Sequence, residues 1–114
     1  MALGNPFIPG ILAQTTCSVT ASSQFFSIPP TTGGTGQNAS GGECIELSNV
    51  GPAVVFIESC GGSNGIVAAT VANSYPILSG QCKIIGMHPG DTGISAIGSA
   101  AGPTVFYVTR GNGV

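Results

Sequence analysis

At 114 residues the chain suits one domain, able to bury about two-thirds of its unfolded surface without help from metal or disulfide. Only 5% of its side chains are charged, four acidic and two basic, where a soluble domain ordinarily carries about 25%. The net charge of −2 leaves no basic patch for nucleic acid and no basic amphipathic helix for a membrane surface, and no apolar run reaches the roughly 18 residues of a membrane helix.

Residues 1–15 read as an extended apolar arm. Pro6, Pro9 and Gly10 interrupt it, and it lacks the positively charged start of a secretory signal. Strands are then expected at Thr16–Thr20 and Gln24–Ile28. Residues 31–42, TTGGTGQNASGG, form a low-complexity loop of the flexible kind. Further strands are expected at Glu43–Asn49, Ala53–Glu58, Ile66–Val71, Tyr75–Leu78, Cys82–Met87, Gly93–Ile97 and Thr104–Thr109. Between them stand Gly51-Pro52, Gly61-Gly62, Ser79-Gly80, Pro89-Gly90 and Gly102-Pro103, all strong turn signals. Short strands at this spacing, with no segment holding a 3.6-residue period, predict an all-β antiparallel sandwich or barrel over residues 16–114. Two strands settle their faces by alternation. Ile45 and Leu47 oppose Glu46 and Ser48, whereas in AVVFIE both faces are apolar, as in a strand that is central or covered. Phe106 and Val108 alternate with Val105, Tyr107 and Thr109 in the same two-faced way.

Three groupings raise the question of catalysis. Gly61-Gly62-Ser63-Asn64-Gly65 matches G-x-S-x-G, but a nucleophile elbow needs a helix after the serine, and the β-branched run IVAATVANSY follows instead. A hairpin loop is the expectation. His88-Pro89-Gly90-Asp91 puts an imidazole near a carboxylate, yet Pro and Gly at its centre are the chemistry of a turn. Glu43 and Glu46 are three apart and face opposite sides of a strand, which is wrong for a shared acid–base pair. The chain is therefore not expected to be an enzyme, to use a cofactor or to bind metal. Cys17, Cys44, Cys60 and Cys82 include no C-x-x-C pair, so a zinc site is not expected; their even count permits two disulfides in a secreted protein, but without a secretory signal free buried thiols are the expectation.

From Glu43 to Val114 the chain resembles the small β-rich virion proteins of tailed bacteriophages, notably head decoration or cement proteins. The resemblance is carried by Asn49-Val50-Gly51 closing a strand, then VVFIE, VAAT, PILSGQ, ISAIG and the closing TVFYVTRGNGV. It departs in the four cysteines and the long apolar arm. The resemblance implies a jelly-roll-like sandwich, made in the host bacterial cytoplasm, that binds the outer surface of the assembled head. Its partners would be the major capsid protein and further copies of itself, as a dimer or trimer bridging neighbouring subunits, with no nucleic acid, membrane or small-molecule substrate. On that reading Phe7, Ile8, Ile11 and Leu12 anchor the arm on a neighbour, and Arg110 either meets an acidic capsid site or stands solvated at the rim. A tail or collar component, or a receptor- or glycan-binding sandwich, is the alternative. The want of tryptophan for stacking a sugar weakens the last of these.

Overall fold

Strands form at eight of the nine expected places, and the reason lies in which segments find a neighbour to complete their backbone hydrogen bonds. The computed structural model describes residues 8–28, 44–88, 90–100 and 102–112, with the backbone path alone at residues 8, 10–12 and 112. In chain order the strands are β1 (Ile8–Val19), β2 (Gln24–Ser27), β3 (Cys44–Asn49), β4 (Val55–Cys60), β5 (Tyr75–Ile77), β6 (Cys82–Gly86), β7 (Gly93–Gly98) and β8 (Thr104–Asn112). They build two four-stranded sheets, ordered β1-β8-β3-β6 and β2-β7-β4-β5, with every pair antiparallel. Eight strands in this order are a jelly roll.

Alternation decides what each sheet turns inward. Ile45 and Leu47 of β3, Phe106 and Val108 of β8, and Cys17 and Val19 of β1 meet Val55 and Ile57 of β4, Ile94 and Ala96 of β7, Ile77 of β5 and Ile28, all essentially sealed from solvent. Burying one such side chain fully is worth about 1.5–3 kcal/mol relative to exposure, so this layer is the main source of stability. Phe26 crosses from the second sheet to meet Phe106 edge to face, ring centroids 5.9 Å apart and planes at 87°. The strands expected to be central are so: β8 lies between β1 and β3, and β4 between β7 and β5. Asn49 couples the sheets at one end. Its buried amide donates to the carbonyls of Ala53 and Ile77 and accepts from the Gly51 N–H.

Two expectations are corrected. Residues 8–15 of the expected arm belong to β1, which pairs with β8 from Ile8 opposite Asn112 onward, with a register shift between Pro9 and Gln14. A proline is tolerated there because β1 is an edge strand whose outward side needs no donor. Residues 1–7 and the 31–42 loop lie outside the described residues. The strand expected at Ile66–Val71 does not form. Residues 65–74 run instead over the outer face of the second sheet, where the Ala69 N–H bonds the Ser23 hydroxyl (2.9 Å) and the Ser74 hydroxyl donates to Glu58 (3.1 Å). β-Branched residues favour a strand only where a neighbour completes the ladder, and β5 already occupies that edge.

Candidate functional site

At the end of the sandwich where β4 finishes and β7 begins, the polar groups of the two suspected motifs come together. The His88–Asp91 segment is the turn expected of it. The Asp91 N–H bonds the His88 carbonyl (3.1 Å), and Gly90 takes φ of +84°, the left-handed value that the third residue of a type II turn requires. This turn locks onto the glycine-rich one after β4. Gly62 lies so close to the Gly90 carbonyl that a Cβ there would collide with it. Asn64 donates to one oxygen of the Asp91 carboxylate (2.6 Å), while the Ser59 hydroxyl donates to the other. The His88 Nδ1 stands 3.3 Å from that second oxygen, with the carboxylate fully buried and the imidazole mostly exposed.

Arg110 enters the same cluster from the first sheet. The sequence offered it as a capsid contact or a solvated rim charge. It is instead 7% exposed and turned inward, because it follows Phe106 and Val108 at alternating positions of β8. Its guanidinium donates to the Ile28 carbonyl (2.7 Å) and the Asp91 carbonyl (3.4 Å), stitching the two sheets together across the end. Burial pushes the Asp91 carboxyl up, but hydrogen bonds from Ser59 and Asn64 and the nearby His88 outweigh it, and its pKa falls below the usual carboxylate value. Burial lowers the pKa of Arg110, opposed by the Asp91 charge.

Serine, histidine and aspartate thus meet, but not in the order of a hydrolytic triad. There the imidazole stands between hydroxyl and carboxylate and takes the hydroxyl proton. Here the Ser59 hydroxyl is bound directly to Asp91, whose lowered pKa makes it a poor base. Ser63, the serine of the G-x-S-x-G match, sits exposed in a 3-10 turn at Gly62–Asn64, followed by no helix. The arrangement holds a buried anion in place and ties together two turns and two sheets. Among the described residues, no three His, Cys, Asp or Glu side chains cluster as metal ligands would.

Of the expected arm anchors, Phe7 lies outside the described residues. The backbones of Ile8, Ile11 and Leu12 run along β1, at the outer edge of the first sheet. A different apolar surface stands out. Val50, Ile66, Val67, Val71, Tyr75 and Leu78 are each 44–68% exposed. They lie on the segment 65–74 across the outer face of the second sheet, on β5 and the turn after it, and, at Val50, on the turn after β3. Lys83 leans over the Tyr75 ring (4.5 Å), and Glu58, which accepts from the Ser74 hydroxyl, lies beside the same segment.

The four thiols are free and differently placed. Cys17 is in the core, where burial pushes its pKa up to about 12. Cys60 is covered by the crossing segment and contacts the Val67 carbonyl and the Ser95 hydroxyl. Cys44 and Cys82 share the outer face of the first sheet, but Cys82 is opposite Ser48, four residues from Cys44 and so about 13 Å along the strand, far beyond disulfide reach. The Cys82 thiol is raised by partial burial and by its neighbour Glu46. A native thiol titration should therefore modify Cys82 first, Cys44 more slowly, and Cys17 and Cys60 only on unfolding. Glu46→Gln should quicken Cys82 at pH 8, since it removes a carboxylate that raises the thiol pKa and leaves more thiolate to react. An unchanged rate would remove Glu46 from that account.

No family model matches the chain, and no curated protein matches it. Among solved structures the chain is similar to PirA, with a TM-score of 0.53 at 13% identity over 86% of this chain and 93% of that one. A protein of Bacillus endospore appendages, which form a family of disulfide-linked pili, superposes with a TM-score of 0.38 at 11% identity over 86% of this chain and 82% of that one. At this identity the likeness to PirA is one of fold: a small all-β sandwich.

Proposed function

We propose that the protein is a structural virion component, a decoration or cement protein that binds the outer surface of an assembled phage head and bridges neighbouring copies of the major capsid protein. The observation that carries this reading is the exposure of six large apolar side chains, Val50, Ile66, Val67, Val71, Tyr75 and Leu78, on the segment 65–74, β5 and the adjoining turns. Large apolar side chains massed at a surface mark a site of protein contact. The low charge of the whole chain suits a surface largely covered by neighbours. The resemblance of residues 43–114 to phage decoration proteins supplies the kind of partner. The jelly roll, which recurs in viral capsid proteins, is compatible with it. Ile8, Ile11 and Leu12 on β1, with Phe7 before them in sequence, would add a second attachment, and a dimer or trimer would multiply weak contacts through effective concentration.

Co-sedimentation with expanded, decoration-free heads of the source virus tests this. Binding should saturate at a fixed number of copies per capsid subunit. The double variant Ile66→Ser, Val71→Ser should weaken it by about 10²-fold, two apolar contacts at about 1.5 kcal/mol each, while leaving the thermal midpoint nearly unchanged because both residues are already exposed. A folded protein that does not bind would move the reading to a tail or collar component or to a receptor-binding module.

A further inference from the structure

The Gly61-Gly62-Ser63-Asn64-Gly65 motif lacks the setting of a nucleophilic serine, but it carries a second chemistry. Asn64 is followed by Gly65, and a glycine in that place leaves its backbone nitrogen unshielded by a Cβ. Such a nitrogen attacks the side-chain amide carbon of the asparagine. A new C–N bond closes a cyclic imide, the bond from that carbon to the amide nitrogen breaks, and ammonia leaves with the proton of the glycine N–H. Water then opens the imide at one of its two carbonyls, giving aspartate or, with an extra main-chain carbon, isoaspartate. The reaction is spontaneous, and it is one reason asparagine counts among the thermolabile residues. Here the pair lies on an exposed turn, and nothing lies close to Gly65 where a side chain would stand.

The closed turn opposes the reaction at both reacting groups. The Asn64 side chain is pinned, its amide donating to the Asp91 carboxylate at 2.6 Å. That carboxylate is fully buried and also accepts from the Ser59 hydroxyl, so it cannot follow a moving asparagine. The attacking nitrogen must lose its proton, and the Gly65 N–H is committed to the Gly62 carbonyl (3.2 Å), while the Gly65 carbonyl accepts from the Gly61 N–H (2.6 Å). We propose that Asn64 is a modification site held in check by Asp91, and that the turn is thereby a one-way latch. While it stays closed, cyclisation is suppressed. Once it has opened for long enough to react, it cannot close as before. A carboxylate at position 64 has no N–H to donate and would stand against the Asp91 carboxylate, like charge against like. The site goes beyond the docking surface proposed above: it lies on a different turn, and its test needs no capsid.

The full-length protein is incubated at mildly alkaline pH, folded and in urea. Conversion is followed by mass-spectrometric peptide mapping, which separates this pair from Asn112-Gly113, the other Asn-Gly of the chain. Folded protein should convert Asn64 about tenfold or more slowly than unfolded protein. Asp91→Asn, which weakens the acceptor, should raise the folded rate by about three- to tenfold. Ser59→Ala, which loosens the carboxylate without removing it, should raise it in the same direction and by less. Asn64→Asp, the product, should melt several degrees below Asn64→Ala, which loses the hydrogen bond but adds no charge. Conversion as fast in the folded protein as in urea would remove the check altogether. A folded rate unchanged or lowered in both Asp91→Asn and Ser59→Ala would remove Asp91 from it. Asn64→Asp melting no lower than Asn64→Ala would show that the turn recloses and is no latch.

Discussion

Asp91→Ala should destabilise the fold by about 3–5 kcal/mol, the range for breaking a buried charged network from one side. The substitution removes the carboxylate that accepts from the Ser59 hydroxyl and the Asn64 amide, and with it a negative charge that favours the buried Arg110 guanidinium. The same residue sets the acid limit. A carboxyl whose folded-state pKa is lowered below its ordinary value contributes stability that is complete above the unfolded pKa, near 3.8, and is lost as pH falls through the folded one. Stability should therefore hold down to about pH 5 and fall below pH 4. Asp91→Asn, which keeps the shape and drops the charge, should lose one proton's share of that slope, about 1.4 kcal/mol per pH unit. Urea unfolding across pH 2–6 on the parent and on Asp91→Asn checks this, and parallel acid limbs would show that Asp91 is not the titrating group.

Phe106→Ala should cost about 3–5 kcal/mol, with the larger share coming from the cavity it leaves. Phe106 is 1% exposed and lies on a strand flanked on both sides, so no neighbour can move in to close the gap. It also loses the edge-to-face contact with Phe26, worth about 0.5–1.5 kcal/mol beyond area. Phe106→Leu should cost about half as much, since it refills most of the volume. Equilibrium unfolding in urea separates the two. A cost below about 1 kcal/mol for the alanine variant would mean that the sheets repack around the hole.

Much of this architecture is legible along the chain, and the failures share one cause. In β3, Ile45 and Leu47 against Glu46 and Ser48 announce the buried face by period alone, whereas β8 reads as apolar on both faces and only its neighbours decide that Phe106 and Val108 turn inward. Glycine and proline pairs mark most of the turns because they act locally. What period and turn chemistry do not carry is the neighbour. GIVAATVANSY has the residues of a strand, but β5 takes the edge beside β4, so it crosses the outer face and leaves Ile66, Val67 and Val71 exposed. The same segment that misled as a strand carries much of the exposed apolar surface. Arg110 was misplaced for a related reason, since its charge suggested a rim. The parity of β8, continued two residues past Val108, does point it inward. Its compensation by Ile28 and Asp91 arrives from distant parts of the chain, which no local pattern reveals. The same holds for Ser59 and Asn64 on Asp91.

The strand order of the first sheet has a consequence for synthesis. β8, the last of the eight strands to leave the ribosome, is the one that β1 and β3 both need beside them. Until it emerges, β1 has no partner at all, and β3 has only β6. The sheet cannot therefore grow outward from an early nucleus as the chain appears; it closes in one late event, around contacts nearly a chain length apart. Topologies of this kind fold in milliseconds to seconds. Through that interval the longest edge strand stays unpaired while carrying no charge to repel another copy, so newly made chains are most prone to associate wrongly before β8 emerges.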